Sequence, residues 1–514
     1  MGPQNINVEE RTTGIESQDE KYHVNREENT EHLDKAAHII AESGHEATDR
    51  RGQSLFTFNP IAERKLRLKI DLMIIPTVAL LYLFCNAKLA GLEKDLKMVG
   101  YDFNIILSFF YISYIIFEIP ASMACKWIGP GWFIPATSFA FGICSIATAY
   151  AHNHHTMSAI RFVLGIFEAG MLPGIAYYLS RWYRRSELSF RLALYVVMAP
   201  MAGGFGGLLA SAILTLPSFG TLHTWRMIFA IEGIITCCLS VIAFFTLTDR
   251  PATAKWLTQE EKDLAIARVK SERVGATEVL DSFDTKKTLL GIFNPITIVT
   301  SIIFLLDNIT VQGLAFFAPT IVKTIYPKAT VVSLQLHTVP PYIVGGLFML
   351  SLSFLSWRVD RRNIFFIFGA LLMMCGYIMF LASNDSQTRY GATFLIGCGA
   401  FTFGSLCNAQ VAANVISDTA RSSAIGTNVM MGNIGGLIST WSFLPTDAPH
   451  YYIGNGLNLA TSTATLFLSI ALLLWMKMDN KKRDTRDVDA ELNGLSQKEI
   501  QDLDWRHPGF RWKP

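Results

Sequence analysis

The chain of 514 residues is 51% hydrophobic but only 17% charged, with a mean hydropathy of +0.31, and a soluble protein of this length carries more charge. The formal net charge is only +2, with the cations confined to short segments between apolar runs, so there is no basic field for nucleic acid. These numbers describe an integral membrane protein whose main partner is the lipid bilayer, and the apolar segments that follow make it an all-α polytopic one.

Residues 1–62 are polar, charged and poor in aromatics, and are expected to form a disordered tail. No cleavable signal precedes the first apolar run, so that run is expected to act as the anchor. Twelve segments are then long enough, or nearly so, to cross ~30 Å of hydrocarbon at ~20 residues each. They lie at 70–88, 104–126, 132–151, 157–179, 191–214, 226–247, 295–317, 333–356, 363–382, 390–410, 422–443 and 455–476. Arg64, Lys65, Arg67 and Lys69 precede the first. Arg181, Arg184, Arg185 and Arg191 follow the fourth, and Arg358, Arg361 and Arg362 follow the eighth. Lys and Arg favour the cytoplasmic side, which places both termini there.

Residues 248–294 form the one long polar connection. It separates a first six-helix half (63–247) from a second (295–478), and a polar tail (479–514) follows. Within it Thr258 and Glu261 make a T-x-x-E capping box ahead of an amphipathic run, predicting a helix. The halves carry a trace of repetition: MAGGFGGL (201–208) matches MGNIGGL (431–437), and Arg191 and Arg421 precede the two. Six spans apart is the spacing of parallel repeats, and glycines so placed are chiefly packing surfaces. The eight cysteines show no CxxC spacing and read as small apolar packing residues. His152, His154 and His155 read as solvated loop residues without metal-ligand partners nearby. No cofactor or enzyme signature appears: there is no GxSxG, HExxH, P-loop or dinucleotide fingerprint.

The fourth span carries the strongest functional signal. Arg161 and Glu168 are seven residues apart, nearly two helical turns, so they share one face about 10 Å apart along the axis. A charge at bilayer depth costs roughly 2.5–3.5 kcal/mol on insertion scales, so two of opposite sign imply an interior, partly wet cavity that handles anions and protons. A guanidinium holds a carboxylate by two parallel hydrogen bonds.

The fourth-span sequence RFVLGIFEAGMLPGIAYYLSRWYRRSELSFRLALY resembles the major facilitator superfamily, and within it the fungal anion:cation symporters of the allantoate and nicotinate permease type. FEIPASMACKWIGP (117–130), WRMIFAIEGIITC (225–237), DAPHYYIGNGLNLAT (447–461) and RHPGFRW near the C-terminus carry the same likeness, which extends from residue 63 onward. The resemblance implies a major facilitator fold of two six-helix halves. It implies a monomeric plasma-membrane transporter that imports a small organic anion, a carboxylate such as nicotinate, allantoate or a vitamin, by proton symport and alternating access. It assigns Arg161 to the substrate carboxylate and Glu168 to proton coupling.

Other polar residues are candidates of lower rank. Asn308 and Gln312 share a face of the seventh span and either bond a neighbouring helix or line the cavity for substrate. Asp307 beside them is a second proton-coupling candidate or a structural acceptor, and Asn428 and Asn433 in the eleventh span are further substrate-binding candidates. Tyr177 and Tyr178 either line the path or anchor the interface. Glu118, close to Lys126, and Glu232 are read as structural pairs. WRVDRRN (357–363) resembles the superfamily's degenerate cytoplasmic loop motif, in which Asp360, Arg361 and Arg362 would form a cytoplasmic gate or a plain positive-inside anchor.

One departure stands out. Relatives continue LLYLF with a stretch holding an Asp-Arg pair before NAKLAGL, whereas this chain reads LLYLFCNAKLAGL (81–92). Leu72 to Ala87 gives only about 24 Å of helix. Either the span relies on snorkelling by Lys88 and local thinning or the sequence reflects a mistaken splice model. The departure also leaves open a second reading, a transport-dead nutrient sensor.

Overall fold

The computed structural model describes residues 59–85, 96, 98, 100–204, 225–270, 285–328, 331–447, 451–494, 499 and 502–514. Asn59 opens the first helix, α1 (Pro60–Cys85). Its side chain accepts from the Ile61 amide at 3.0 Å, and Pro60 takes the first helical position, where its missing N–H costs nothing. The expected shortening of the first span falls at the end of α1, where residues 86–95 lie outside the described residues.

Helices α2 (Asp102–Ile128) and α3 (Pro130–Ala149) meet at Gly129, whose φ of +98° turns the chain between them. Next come α4 (His154–Glu168), α5 (Met171–Trp182), α6 (Arg185–Val196), whose helical path goes on to Gly204, and α7 (Trp225–Thr246). In the central connection lie α8 (Gln259–Lys270) and α9 (Thr285–Ile292). The T-x-x-E box forms as read: the Thr258 amide donates to Glu261 Oε2 at 2.9 Å, and the Glu261 amide to Thr258 Oγ1 at 3.4 Å. Then follow α10 (Pro295–Ile325), α11 (Val331–Val359), α12 (Asn363–Ala382), α13 (Ser386–Ala413), α14 (Asp418–Thr440), α15 (Tyr452–Asp484) and the short α16 (Val488–Leu492). No strand occurs among the described residues.

Each of the twelve predicted spans falls on a helix where it is described, α4 and α5 being two parts of one span, and residues 86–88 of the first and 205–214 of the fifth lie outside the described residues. Nine of the described helical segments are long and apolar enough to cross a membrane. The other three predicted spans fall on α1, on the stretch through Gly204, and on α14. The last is less apolar for a physical reason: Ser422, Ser423, Thr427 and Asn428 are buried inside protein and never meet lipid.

Helices α2–α4 and α7 pack with one another, as do α10 and α12–α15. The two halves meet along two seams: α2 runs antiparallel to α14, which also touches α5, and α6 packs against α11 and α13. The repeated glycine motif lies on these seams. A Cβ on Gly436 of α14 would fall 2.6 Å from the Tyr111 ring of α2, and one on Gly203 would fall 2.8 Å from the Tyr342 ring of α11. The same relation, glycine of one half against tyrosine of the other, thus occurs twice, as two related six-helix units require. Residues 205–208 of the first motif lie outside the described residues.

Arg67 of α1 reaches Trp357 and Lys513, beyond α15, reaches Asp360, so the start of α1 and the segment after α15 both lie at the end of α11, called here the tail end. There α8 docks on the first half: Arg268 donates to Glu187 at 2.8 and 2.9 Å and to Glu63 at 2.9 Å, while Arg67 reaches Glu187 at 3.1 Å. Trp256 stacks on Trp182 with ring centroids 5.6 Å apart. Helix α9 docks on the second half, where Ser423 Oγ donates to the Thr288 carbonyl at 3.0 Å.

Residues 502–514 seal the tail end of the second half. The Asp504 carboxylate accepts from the Ile416 and Ser417 amides at 3.0 and 2.7 Å, capping the approach to α14. The Trp512 backbone exchanges two bonds with the Asn480 side chain, both 2.8 Å. The Lys513 backbone bonds Asn414 and Gln410, and Phe510 and Trp512 are buried among α12, α13 and α15.

Candidate functional site

The site is set by close approach of α4 to α2. A Cβ on Gly165 would overlap the Ser113 hydroxyl and fall 2.6 Å from the Phe110 carbonyl, so only glycine allows this spacing. Three residues on, α4 ends at Glu168, and the helix restarts at Met171 with Pro173 in its first turn, a position where proline is tolerated. Gly170 at the break faces the Phe133 ring, which a Cβ would meet at 2.5 Å. The break leaves Glu168 as the last residue of α4, at the middle of the combined span.

Arg161 and Glu168 are both half-buried, and their charges interact. The Arg161 guanidinium lies over the Phe229 ring of α7 at 5.6 Å, a cation–π contact that holds it without neutralising it. Glu168 also interacts electrostatically with Glu118 and Tyr111 of α2. An arginine and a carboxyl therefore stand on one helix face beside the α2–α14 seam.

Asn433 of α14 is the candidate from the second half that the structure brings to this cluster: its Nδ2 donates to Glu118 Oε2 at 3.1 Å and to the Val429 carbonyl at 3.1 Å. Asn308 faces α14 at Gly435 but donates back to the Phe304 carbonyl of its own helix at 2.9 Å. Gln312, one turn on, is half-buried. Asn428 is wholly buried and donates to Asn408 Oδ1 of α13 at 3.1 Å, inside the second bundle. Asp307 is also wholly buried within that bundle, near Cys407 and Tyr377, and neither carboxyl oxygen has a hydrogen-bond partner among the described residues. Tyr177 and Tyr178 are buried in the first bundle, where Tyr178 donates to the Thr248 carbonyl at 2.8 Å. Glu232 is buried on α7 beside Gly233, whose missing Cβ lets α3 approach.

Two sequence readings are revised. Glu118 does not pair with Lys126 near a helix end. It lies ten residues before the end of α2 and bonds across to Asn433, while Lys126 reaches Thr419 of α14. The signal was a mid-helix charge in FEIPAS, whose partner no local pattern reveals. At the loop after α11, Asp360 takes a left-handed φ of +51° and pairs with Arg362 at 3.3 Å and with Lys513 at 3.6 Å. The Arg362 amide donates to the Pro514 carbonyl at 2.9 Å, whereas Arg361 is exposed. These contacts tie the motif to residues 513–514. The contact across the halves comes instead from Trp357, which sequence reading passed over: its ring lies 4.6 Å from the Arg191 guanidinium, 5.7 Å from that of Arg67, and stacks on Phe190 at 5.6 Å.

Glu187, one turn before the fifth predicted span, anchors this end. Burial alone would push its carboxyl up, but Arg268, Arg191 and Arg67 outweigh burial and hold it below the usual carboxylate range. No cluster of three or more His, Cys, Asp or Glu suited to a metal occurs among the described residues.

The Major Facilitator Superfamily model matches residues 72–440. An uncharacterized transporter of Schizosaccharomyces pombe is 32% identical over 463 residues, covering 88% of this chain and 90% of its own length. The MFS-type transporter efuF of Hormonema carpetanum is 28% identical, covering 91% and 96% respectively. The solved structure of the proton:xylose symporter XylE has the same fold, with a TM-score of 0.62 at 15% identity over 80% of this chain and 96% of that one. The chain belongs to the Major Facilitator Superfamily and is a multi-pass membrane transporter of the secondary type, not an enzyme.

Proposed function

We propose that the protein imports a small organic anion bearing a carboxylate, by proton symport and alternating access, as a plasma-membrane monomer with both termini in the cytoplasm. The observation that supports this reading is the Arg161–Glu168 pair: half-buried, on one face of α4, beside the seam between the halves. Arg161 receives the carboxylate through its planar fork. Protonation of Glu168 removes the competing charge and frees the arginine for the substrate, and release of the proton on the other side restores the pair. Asn433, already at the cluster from the second half, and Asn308 and Gln312, on the helix that packs against α14, are the groups closest to contacting the rest of the substrate.

The test has two stages. Detergent-solubilised protein is heated with nicotinate, allantoate and vitamin carboxylates, where a ligand at ~100 times its dissociation constant adds ~2.7 kcal/mol of stability. Uptake of the hit is then followed in proteoliposomes. Arg161→Ala is expected to abolish binding and uptake. Glu168→Gln is expected to keep exchange but lose accumulation against a gradient, and a Glu168→Gln protein that still accumulates substrate would refute the proton-coupling role.

A further inference from the structure

Glu118 is the feature that the transport cycle above leaves unused. It is wholly buried near the middle of α2 and accepts from Asn433 of the other half at 3.1 Å. Its second oxygen, Oε1, is buried without a hydrogen-bond partner among the described residues. One turn away the same two helices lock through serines: Ser122 Oγ donates to the Ser422 carbonyl at 2.8 Å, and Ser422 Oγ to the Ser122 carbonyl at 2.9 Å. The Glu118–Asn433 bond thus sits in a closed contact between the two halves.

A carboxylate with one bare oxygen in such a contact is costly, because nothing replaces the water it has lost. A neutral carboxyl avoids most of that cost while one oxygen still accepts from Asn433. Once the seam opens, water solvates both oxygens and the charged form is tolerated. Closing of this contact and proton occupancy of Glu118 are therefore linked.

The surroundings supply a donor. From α4, Glu168 interacts electrostatically with Glu118, and Arg161 stands beyond Glu168. From α14 the neighbour is Asn433, which does not titrate. On α2 itself Tyr111 lies two turns toward one end and Lys126 two turns toward the other. Helices α3 and α5, which also touch α2, bring Cys144, Tyr177 and Tyr178 into the adjoining core.

We propose that Glu118 is a second proton-carrying carboxyl and that its bond to Asn433 is a proton-controlled latch between the two halves. The inference rests on Glu168 as the first proton acceptor. The step is a proton transfer alone: the O–H bond at Glu168 breaks, one forms at Glu118, and Glu168 regains its charge beside Arg161. Loaded Glu118 holds the α2–α14 seam shut; unloaded Glu118 lets it part.

The test needs no substrate, so its failure is distinct from failure of the anion-import reading. In a variant whose native cysteines are replaced, Ser422→Cys reports seam opening by its rate of labelling with a water-soluble maleimide. A latch linked to one proton changes the closed-to-open ratio about tenfold per pH unit across its titration, so labelling slows as pH falls. Glu118→Gln is expected to flatten this profile while leaving the protein monodisperse. A Glu118→Gln profile as steep as the parent's overturns the proposal. If Glu118→Gln does not fold, Asn433→Ala decides: labelling raised about tenfold at acidic pH supports the latch, and labelling at the parent's rate refutes it.

Discussion

Replacing Trp357 with alanine removes the aromatic contact that joins the halves at the tail end. Its ring lies 4.6 Å from Arg191, a guanidinium that is only 2% exposed and is held in place by Asp71 at 3.2 and 3.3 Å. A desolvated cation–π contact contributes about 1–2 kcal/mol, and the more exposed Arg67 about 0.5–1 kcal/mol. Stacking on Phe190, with planes 11° apart, adds about 0.5–1.5 kcal/mol. Losing about 2–4.5 kcal/mol shifts the closed-to-open ratio at this end by about 30- to 2,000-fold. Val196 is the reporter, because it is buried against Gly404 of α13 across the seam. Val196→Cys in a cysteine-replaced background should label at least tenfold faster when Trp357→Ala is added, and Trp357→Phe, which keeps the stack, should fall between. Labelling of Trp357→Ala within twofold of the parent would refute the view that this aromatic cluster holds the tail end shut.

Two further outcomes follow from the same end of the molecule. Glu187→Gln strips one of the two carboxylates from Arg268, which is 1% exposed and keeps Glu63 at 2.9 Å, and should cost about 3 kcal/mol at neutral pH, read as a lower denaturation temperature in detergent. Because the folded carboxyl titrates below its unfolded value, its contribution is complete above the ordinary glutamate pKa of about 4.3 and fades as pH falls through the folded value. The gap between parent and variant should therefore narrow in acid, and a gap that widens there contradicts the assignment. Asp504→Ala leaves the Ile416 and Ser417 amides without their acceptor and should destabilise by about 1.5–3 kcal/mol. Denaturation temperature measures it, and an unchanged value would show that the segment's docking does not depend on this cap.

The helices were legible because lipid imposes a simple rule: apolar runs of the right length must close their own hydrogen bonds. The box at Thr258 and Glu261 was legible for a similar reason, since both partners lie within one turn. That Arg161 and Glu168 share one face of α4 needed only helical periodicity. Glu118 was misread because its partner, Asn433, is 315 residues away, and a helix sequence shows which face is polar but not what that face meets. Asn428 and Asn433 looked equivalent in sequence, yet one turns into its own bundle and the other crosses the seam. Trp357 was overlooked because an aromatic near a span end reads as an interfacial anchor, and only packing shows it seated on two arginines.

Residues 502–514 bear on how the protein is made as well as on how it holds together. They leave the ribosome only after α10–α15 have entered the membrane, since domains form as the chain emerges. Until then Asn414, Asn480 and the amides at Ile416 and Ser417 lack these partners, and the cleft that receives Phe510 and Trp512 stands open to water. A nascent chain stalled or cut before residue 502 therefore displays an apolar cleft rimmed by unmet polar groups, the kind of surface that chaperones and proteases engage. Docking of this segment removes that surface, so a transporter with residues 502–514 in place and one without them differ at a place the cell can inspect.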